Sequence, residues 1–466
     1  MFLGVGIVIL TPFFLLPDLS SKSKDKTKLA LHMQVKESRQ LKTSKKQTRP
    51  QTENPITLQK ASEDLEDLAP EEFFPPQVSH YEICANIREA EKLQFHELLE
   101  GSVVYSAFLD YRFREQSFIR MITILPSYDE STQIYCHFMD SRTQEFFTSV
   151  VEIEELGTNL GYSFQGFLSS CDIPEEIDSY ILCSVNISRE PESYRQNKKN
   201  TKEIPIHVMD HTVNIETYGL CVPPITGEIS VTQLVEFLEL SQVLGVSHVT
   251  FYDSGISDKT RKVLGYYRER GLLSVYPWDL PHYISSNIQD KGQSAALNDC
   301  LYRNMGRFTY IAFNHLDEFI IPLREKSTFK ILESVKDEDV AGYCFQGFSF
   351  DTSKDKEMVK NFKTRLYTQR FTSRTKAPID ELSRCVATPQ KVISLDLYTI
   401  SNPAKDYYST RHVEPTLGNM FYYGKCNNRE WDCRESQEDH TMEKYHEELE
   451  IRFNATMSYL RHYRLA

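Results

Sequence analysis

The segment Tyr310 to Pro322, YIAFNHLDEFIIP, constrains this chain more than any other. A run rich in Ile, Phe and Tyr breaks at Asp317 and Glu318 and then becomes apolar again. Short apolar runs of this kind read as buried strands of a parallel sheet, and such sheets bind ligands outside the carboxyl ends of their strands. An acidic tip at that place suits a metal or phosphate site, whereas two carboxylates that merely solvate a strand end are the bland alternative. Upstream, VSHVTFYDSGIS repeats the pattern, with a strand over Val246 to Tyr252, then Asp253, then the turn residues Ser254 and Gly255. Two strands that end in Asp predict one shared crevice.

The surrounding periodicity supports crossovers between these strands. Leu234, Phe237, Leu238 and Val243 fall at helical spacing within Val231 to Leu244, and Gly245 is placed to cap that helix. After HVTFY come a helix from about Lys259 to Arg270, closed by Gly271, and the strand LLSVYPW. The alternation predicts an α/β half with a mainly parallel sheet and right-handed crossovers. Between Tyr81 and Arg189 the rhythm differs: SVVYSAFLDYR, FIRMITILPS, QIYCHFMD and SYILCSVNIS are strand-like runs without helical interludes. These predict an antiparallel accessory domain, read as a sandwich, with ESYRQNKKNTKE as the linker that follows it.

The order CVPPITGE, the Val231 helix, HVTFYDSG, VYPWDLP, GQSAALNDCLYRN and YIAFNHLDEFIIP resembles glycosyltransferase family 92, over roughly Cys221 to Tyr459. The resemblance implies a GT-A-type nucleotide-binding catalytic domain that uses a nucleotide sugar, in many members a galactosyltransferase acting on glycans in the Golgi. Transfer from such a donor leaves a diphosphate with developing negative charge, which Mn²⁺ or another hard divalent cation stabilises through carboxylate ligands. In the family the strand ends D-x-D. Here Asp317 is the second acid and His315 stands at the first, so the site has lost a negative charge but keeps a group able to bind Mn²⁺. His315 is therefore either a ligand or a hydrogen-bonding residue at the strand end. His412, in STRHVEP, is either a further metal ligand or a loop histidine. At FYYGKC, Tyr422, Tyr423 and Gly424 occupy the place of the family's His-Tyr-Arg motif.

The remaining candidates carry two readings each. Asp253 suits the base or ribose of the nucleotide, or forms a turn. Asp299 and Arg303, one helical turn apart after Gly292 with Gln293 and Asn298, bind the donor or form an i,i+4 ion pair. Trp278 and Asp279 line a sugar pocket, or Trp278 belongs to the core. Glu414 and Asp351 are conceivable general bases, and nothing in the sequence chooses between them.

The 466-residue chain has room for several domains. We read residues 1–19 as a membrane anchor or signal segment, 20–78 as a disordered stem, 79–200 as the β-rich domain and 201–466 as the catalytic domain. The uncharged MFLGVGIVILTPFFLLP favours an uncleaved type II anchor. All 10 cysteines lie beyond the stem and none forms a C-x-x-C pair, which favours disulfides in an oxidising compartment over a zinc site. Cys426 and Cys433 are close enough to bridge locally, and Cys300 either pairs or stays a buried thiol. Asn186 and Asn454 head glycosylation sequons. A net charge of −13 argues against a nucleic-acid partner. The sequence thus predicts a lumenal Golgi hexosyltransferase, with UDP-galactose as donor and a glycan as acceptor, or secretion of the same catalytic domain. The rival is a non-catalytic glycan- or partner-binding protein that kept the fold and lost the metal site.

Overall fold

The computed structural model describes Cys84 and, with short interruptions, residues 93–191, 203–208 and 217–465, the longer interruptions being 354–364 and 426–434. All of these belong to one unit running from Phe74 to Ala466. The segments read as anchor (1–19) and stem (20–78), and Cys426 and Cys433, lie outside the described residues. Among the described residues no helix is long and apolar enough to cross a membrane.

The first strands are β1 (His96–Leu99), β2 (Ser102–Asp110), β3 (Phe118–Pro126), β4 (Tyr135–Met139), β5 (Phe146–Glu155), β6 (Phe164–Asp172), β7 (Ser184–Ser188) and β8 (Ile204–Val208). Their order is β1-β2-β3-β6-β5-β4-β7-β8, and β8 also pairs with β2, so seven strands close into a barrel. This corrects the expected sandwich. Closure depends on β8, which returns from beyond the polar linker to lie parallel to β2 through Ala107↔Ile206 and Leu109↔Val208. Closing the ring removes the edges that two stacked sheets would leave. Val104, Ala107, Leu109, Ile119, Met121 and Phe138 fill the interior. Cys136–Cys171 bridges two barrel strands, and Cys84–Cys183 fastens the chain before β1.

Every residue of β2 is buried, because its outer face is covered as well. The β2–β3 register shifts between Val104 and Ser106. Such a bulge interrupts the two-residue alternation. As a result Tyr105, Ser106 and Phe108 all meet the second half of the molecule, while Val104 and Ala107 point into the barrel.

The second half opens with β9 (Tyr218–Cys221), β10 (Ile225–Gly227), helix α1 (Val231–Val243), β11 (His248–Ile256), α2 (Asp258–Arg268), β12 (Leu273–Pro277), the short α3 (His282–Ser285), α4 (Gln293–Asn304) and β13 (Tyr310–Phe313). These helices start and stop where their sequence dictates. Ser257 caps α2 by accepting from the Thr260 N–H, and Gly245 and Gly271 adopt left-handed conformations just beyond α1 and α2. β12, β11, β9 and β13 are parallel neighbours in that order.

Beyond β13 the pattern changes. The later elements are β14 (Glu318–Pro322), α5 (Thr328–Ser334), β15 (Val340–Asp351), α6 (Tyr367–Arg370), β16 (Ser373–Thr375), β17 (Ile379–Ala387), β18 (Val392–Leu395), β19 (Ile400–Pro403), β20 (Ser409–His412), β21 (Gly418–Gly424), β22 (Ser436–Glu438) and α7 (His446–His462). β17 runs antiparallel to both β13 and β15, β14 antiparallel to β21, and β16 antiparallel to β15 and β22. The expected GT-A-type α/β fold with a mainly parallel sheet is therefore not what forms. The protein is β-rich: a barrel joined to a 12-stranded mixed sheet. The regular helical crossovers stop after α4: the later connections are long enough for parallel crossovers, but their helices α5 and α6 have only 7 and 4 residues, and β20 and β21 run parallel to β15 while its other partners run antiparallel.

Two apolar layers flank the mixed sheet. On one face Val249, Phe251, Tyr310 and Ala312 pack with α1, α5 and α7. On the other, Tyr252, Ile311 and Phe313 pack with α4, with β18 and with the outer barrel residues Tyr105, Phe108, Ile122 and Ile124. Cys300 of α4 is bonded to Cys221 at the end of β9, so the free-thiol reading is wrong. Cys344–Cys385 ties β15 to β17. The Cys221–Cys300 bridge closes a sequence separation of 79 residues, for which chain entropy alone gives about 4 kcal/mol. Cys300→Ser should lower the free energy of unfolding by about 2–4 kcal/mol in non-reducing denaturant titrations, and a strong reductant, which opens all four bridges, should lower the native chain's midpoint further.

Candidate active site

Within the parallel part of the sheet, chain order runs outward from β9 to β11 and β12 on one side, then returns to β13 on the other. The crevice beyond the carboxyl ends of β9 and β13 is therefore a topological switch point, where sheets of this kind accept ligands. Asn314 extends β13 by donating its backbone N–H to the Cys221 carbonyl at 3.1 Å. The chain then turns, with the Glu318 N–H on the His315 carbonyl at 3.2 Å, and enters β14. His315, Leu316 and Asp317 occupy this turn and are partly exposed, whereas Glu318 is buried.

The turn is held from both sides. The Glu318 carboxylate accepts the His315 backbone N–H at 3.0 Å and forms a buried pair with Arg384 on β17. Gln293, the first residue of α4, lies with its side-chain amide nitrogen 3.2 Å from His315 Nε2. The contact orients the ring, and which partner donates depends on the amide orientation and the ring tautomer. The Asp317 carbonyl accepts the Tyr423 N–H at 2.9 Å, and Glu318 lies opposite Tyr422 in the β14–β21 register. Tyr422, Tyr423 and Gly424 are thus strand neighbours of the acidic turn.

Asp317 is electrostatically unfavourable as a free carboxylate. Burial, and then the neighbouring Glu318 charge, push its carboxyl up to about 6, although His315 and Arg384 oppose them. A carboxyl strained in this way at a crevice is a functional-site signal. Asn314 adds a second: its side-chain oxygen is buried without a hydrogen-bond partner.

The other candidates are placed elsewhere or otherwise engaged. Asp253 ends the regular β11–β12 pairing on the crevice side, but its Oδ1 accepts the N–H groups of Gly255 and Ile256 at 3.0 and 2.8 Å, and its Oδ2 pairs with Arg261 at 2.8 Å. This is the turn-forming role. Asp299 is fully buried and accepts from Ser106 and Tyr252 hydroxyls, both at 2.5 Å, and from Arg303 at 2.8 Å. Arg303 lies over the ring of Tyr276. Burial works against its charge, yet Asp299 holds the guanidinium above its ordinary range. The pair is the structural i,i+4 one. Trp278 has no exposed surface, packs against Phe95, Tyr105 and Tyr252, and donates its indole N–H to the Lys291 carbonyl at 2.7 Å. It is a core residue. Asp279 beside it is exposed. Asn298 bonds the backbone of Leu395 in both directions.

His412 lies opposite Cys344 on β15, whereas the acidic turn is level with Ser349 through Tyr422. Five strand positions separate them, roughly 16 Å at about 3.3 Å per residue, and β20 is exposed along its whole length. Among the described residues, no group of three or more His, Cys, Asp or Glu is placed to hold a metal ion. With Glu318 committed to Arg384, Asp317 and His315 remain. They do not make an all-protein cage. They fit a hard cation of the kind that keeps its waters and takes substrate phosphate oxygens beside one or two protein ligands. Asn186 on β7 is buried, so a glycan there would have to displace barrel contacts, while Asn454 is exposed on α7. Glu414 is exposed, and Asp351 caps the Ser353 N–H at 2.9 Å.

Three residues at the crevice were not singled out from the sequence as site residues: Asn314, Glu318 as a brace, and Arg384. The last has no local signal, because its partner lies 66 positions away.

Comparison with known proteins bears on what such a crevice does. The Caenorhabditis elegans Beta-1,4-galactosyltransferase galt-1 is 23% identical over 345 residues, covering 71% of this chain and 76% of that protein. The Glycosyltransferase family 92 protein F13G3.3 of the same organism is 26% identical over 112 residues, 22% of each chain. Among solved structures, the crystal structure of a mycobacterial protein overlaps 45% of this chain and 66% of that one at 12% identity, with a TM-score of 0.23, which carries no argument. The profile of Glycosyltransferase family 92 matches residues 216–455, from just before β9 into α7. Since that match takes in the crevice and more than half of the sequence, the chain belongs to glycosyltransferase family 92.

Proposed function

We propose that this glycosyltransferase moves a hexose, galactose from UDP-galactose, onto a glycan acceptor. The observation that carries the reading is the convergence of the His315–Asp317 turn, Gln293 and Tyr422–Gly424 at the switch point of the sheet. The name of the galactosyltransferase relative supports the choice of sugar. Asp317 and His315 would hold Mn²⁺ or another divalent cation, which supplies Lewis-acid stabilisation of the departing diphosphate. Gln293 orients the His315 ring, and the Arg384–Glu318 pair fixes the turn that presents both groups. We further propose a lumenal Golgi setting as a type II membrane protein, anchored through residues 1–19, in keeping with four disulfides among the described residues.

A second reading, a glycan- or partner-binding protein without transfer, draws on one specific observation. The D-x-D acid pair is His315 and Asp317 here, and no third protein ligand stands beside them among the described residues.

Asp317 also gives the site a pH signature. Its folded value of about 6 lies above the ordinary aspartate value of 3.8, so the folded state binds the extra proton between those values. Stability is therefore lost as pH rises through this window, the reverse of an ordinary paired carboxylate. Asp317→Asn should raise stability by about 1–3 kcal/mol at neutral pH and have little effect near pH 4, as read by thermal melting at the two conditions. An equal effect at both would mean that the carboxyl is not strained.

The functional test is Mn²⁺-dependent binding and hydrolysis of a panel of UDP-sugars by the chain and its Asp317→Ala variant. The proposal predicts turnover of UDP-galactose that falls at least about a hundredfold in the variant. Absence of metal-dependent nucleotide binding in both proteins would favour the binding-protein reading.

A further inference from the structure

A cavity of about 390 Å³ opens on the surface between α2 and α7, and no residue of the acidic turn lines it. Its walls include Asp258, Arg261, Lys262, Glu269, Tyr266 and Tyr459. The two tyrosine rings meet at 4.8 Å between centroids, and Tyr463 continues the row with its ring 4.4 Å from Tyr459. The Arg270 guanidinium lies 3.5 Å from the Tyr266 centroid, so that ring is fixed before any ligand arrives. Tyr459 and Tyr463 remain 38% and 57% exposed. Exposed aromatics on a helix that could have turned them inward call for an explanation beyond the core.

We infer that this cavity is a secondary binding site for an oligosaccharide, the part of the acceptor glycan that extends beyond the reacting sugar. A pyranose presents an apolar C–H face and a rim of hydroxyls that both donate and accept. The cavity matches that chemistry: tyrosine faces provide rigid amphipathic area, Lys262 and Arg268 donate, Glu269 accepts, and Arg261 and Asp258, paired with each other at 3.2 Å, have further donors and lone pairs to offer. Its lining carries both signs of charge, which suits a neutral polyhydroxylated ligand better than an anion. Its size falls within the range of small-molecule sites. Arg261 connects it to the crevice, since the guanidinium that lines the cavity also pairs with Asp253 at the carboxyl end of β11. A chain of several sugars could therefore occupy both places at once. The inference rests on the transferase reading for its choice of ligand, but its binding event needs no turnover.

The test is binding of a galactose-terminated complex oligosaccharide, with free galactose as control, to the full chain by saturation-transfer NMR without donor. It is repeated on Tyr459→Ala and on Lys262→Ala, an exposed position where folding is not at risk. Both variants should bind the oligosaccharide about tenfold more weakly, keep their donor binding, and show a raised acceptor KM at unchanged kcat. Equal binding by the native chain and both variants would overturn the inference, as would self-association that Tyr459→Ala abolishes, because the row would then be covered by a second copy. Binding that is lost in the variants of a chain showing no transfer at all would uphold the cavity and count against the transferase reading instead.

Discussion

The buried carboxylate of Asp299 is the interaction on which the rest of the arrangement depends. It receives hydroxyls from Ser106 on the barrel and Tyr252 on the parallel sheet, and a bidentate guanidinium from its own helix. A buried ion pair is a weak source of stability by itself, because desolvation offsets the attraction. With its hydrogen bonds satisfied it instead fixes where its neighbours sit, since removing Arg303 would strand the carboxylate charge in the core and removing either hydroxyl would leave that charge less well solvated. Barrel strand β2, sheet strand β11 and helix α4 are thereby held in one relation. Tyr105 reinforces it by donating to the Pro277 carbonyl at 2.7 Å. On the far side of α4, Arg112 of the barrel donates to the Val392 carbonyl at 2.7 Å.

That relation positions the candidate site. α4 begins with Gln293 on His315 and is bonded through Cys300 to the end of β9. The residues before it, Asp290, Lys291 and Gly292, all have positive φ, a costly conformation for the first two. It is maintained where the Lys291 carbonyl accepts the Trp278 indole. The strain and the destabilised Asp317 carboxyl lie at the two ends of one contact. A rigid frame that tolerates local strain is what a preorganised charged site requires.

Much of this was legible in the sequence. The helices at Val231 and Asp258 carried periodicity and caps, and the acidic turn after Tyr310–Phe313 was marked by the change from apolar to charged residues. What was not legible was non-local. Nothing in β8 announces that it closes a barrel, since five residues of strand look alike in a sandwich or a ring. The antiparallel half of the mixed sheet was hidden because β-strand runs do not state their direction, and the alternation before β13 was extended too far. Asp299, Arg303 and Trp278 have the residue types of a binding pocket, and only their burial shows that they build the core beneath one. His412 failed on register: proximity to the motif in the family pattern did not survive its placement five positions along β15.

Calorimetric unfolding of the intact chain shows whether barrel and mixed sheet share one core and unfold as a single cooperative structure around Asp299. A shared core gives one transition in which the calorimetric and van't Hoff enthalpies agree. Two separable transitions, with the barrel melting while the sheet and its acidic turn remain folded, would contradict it.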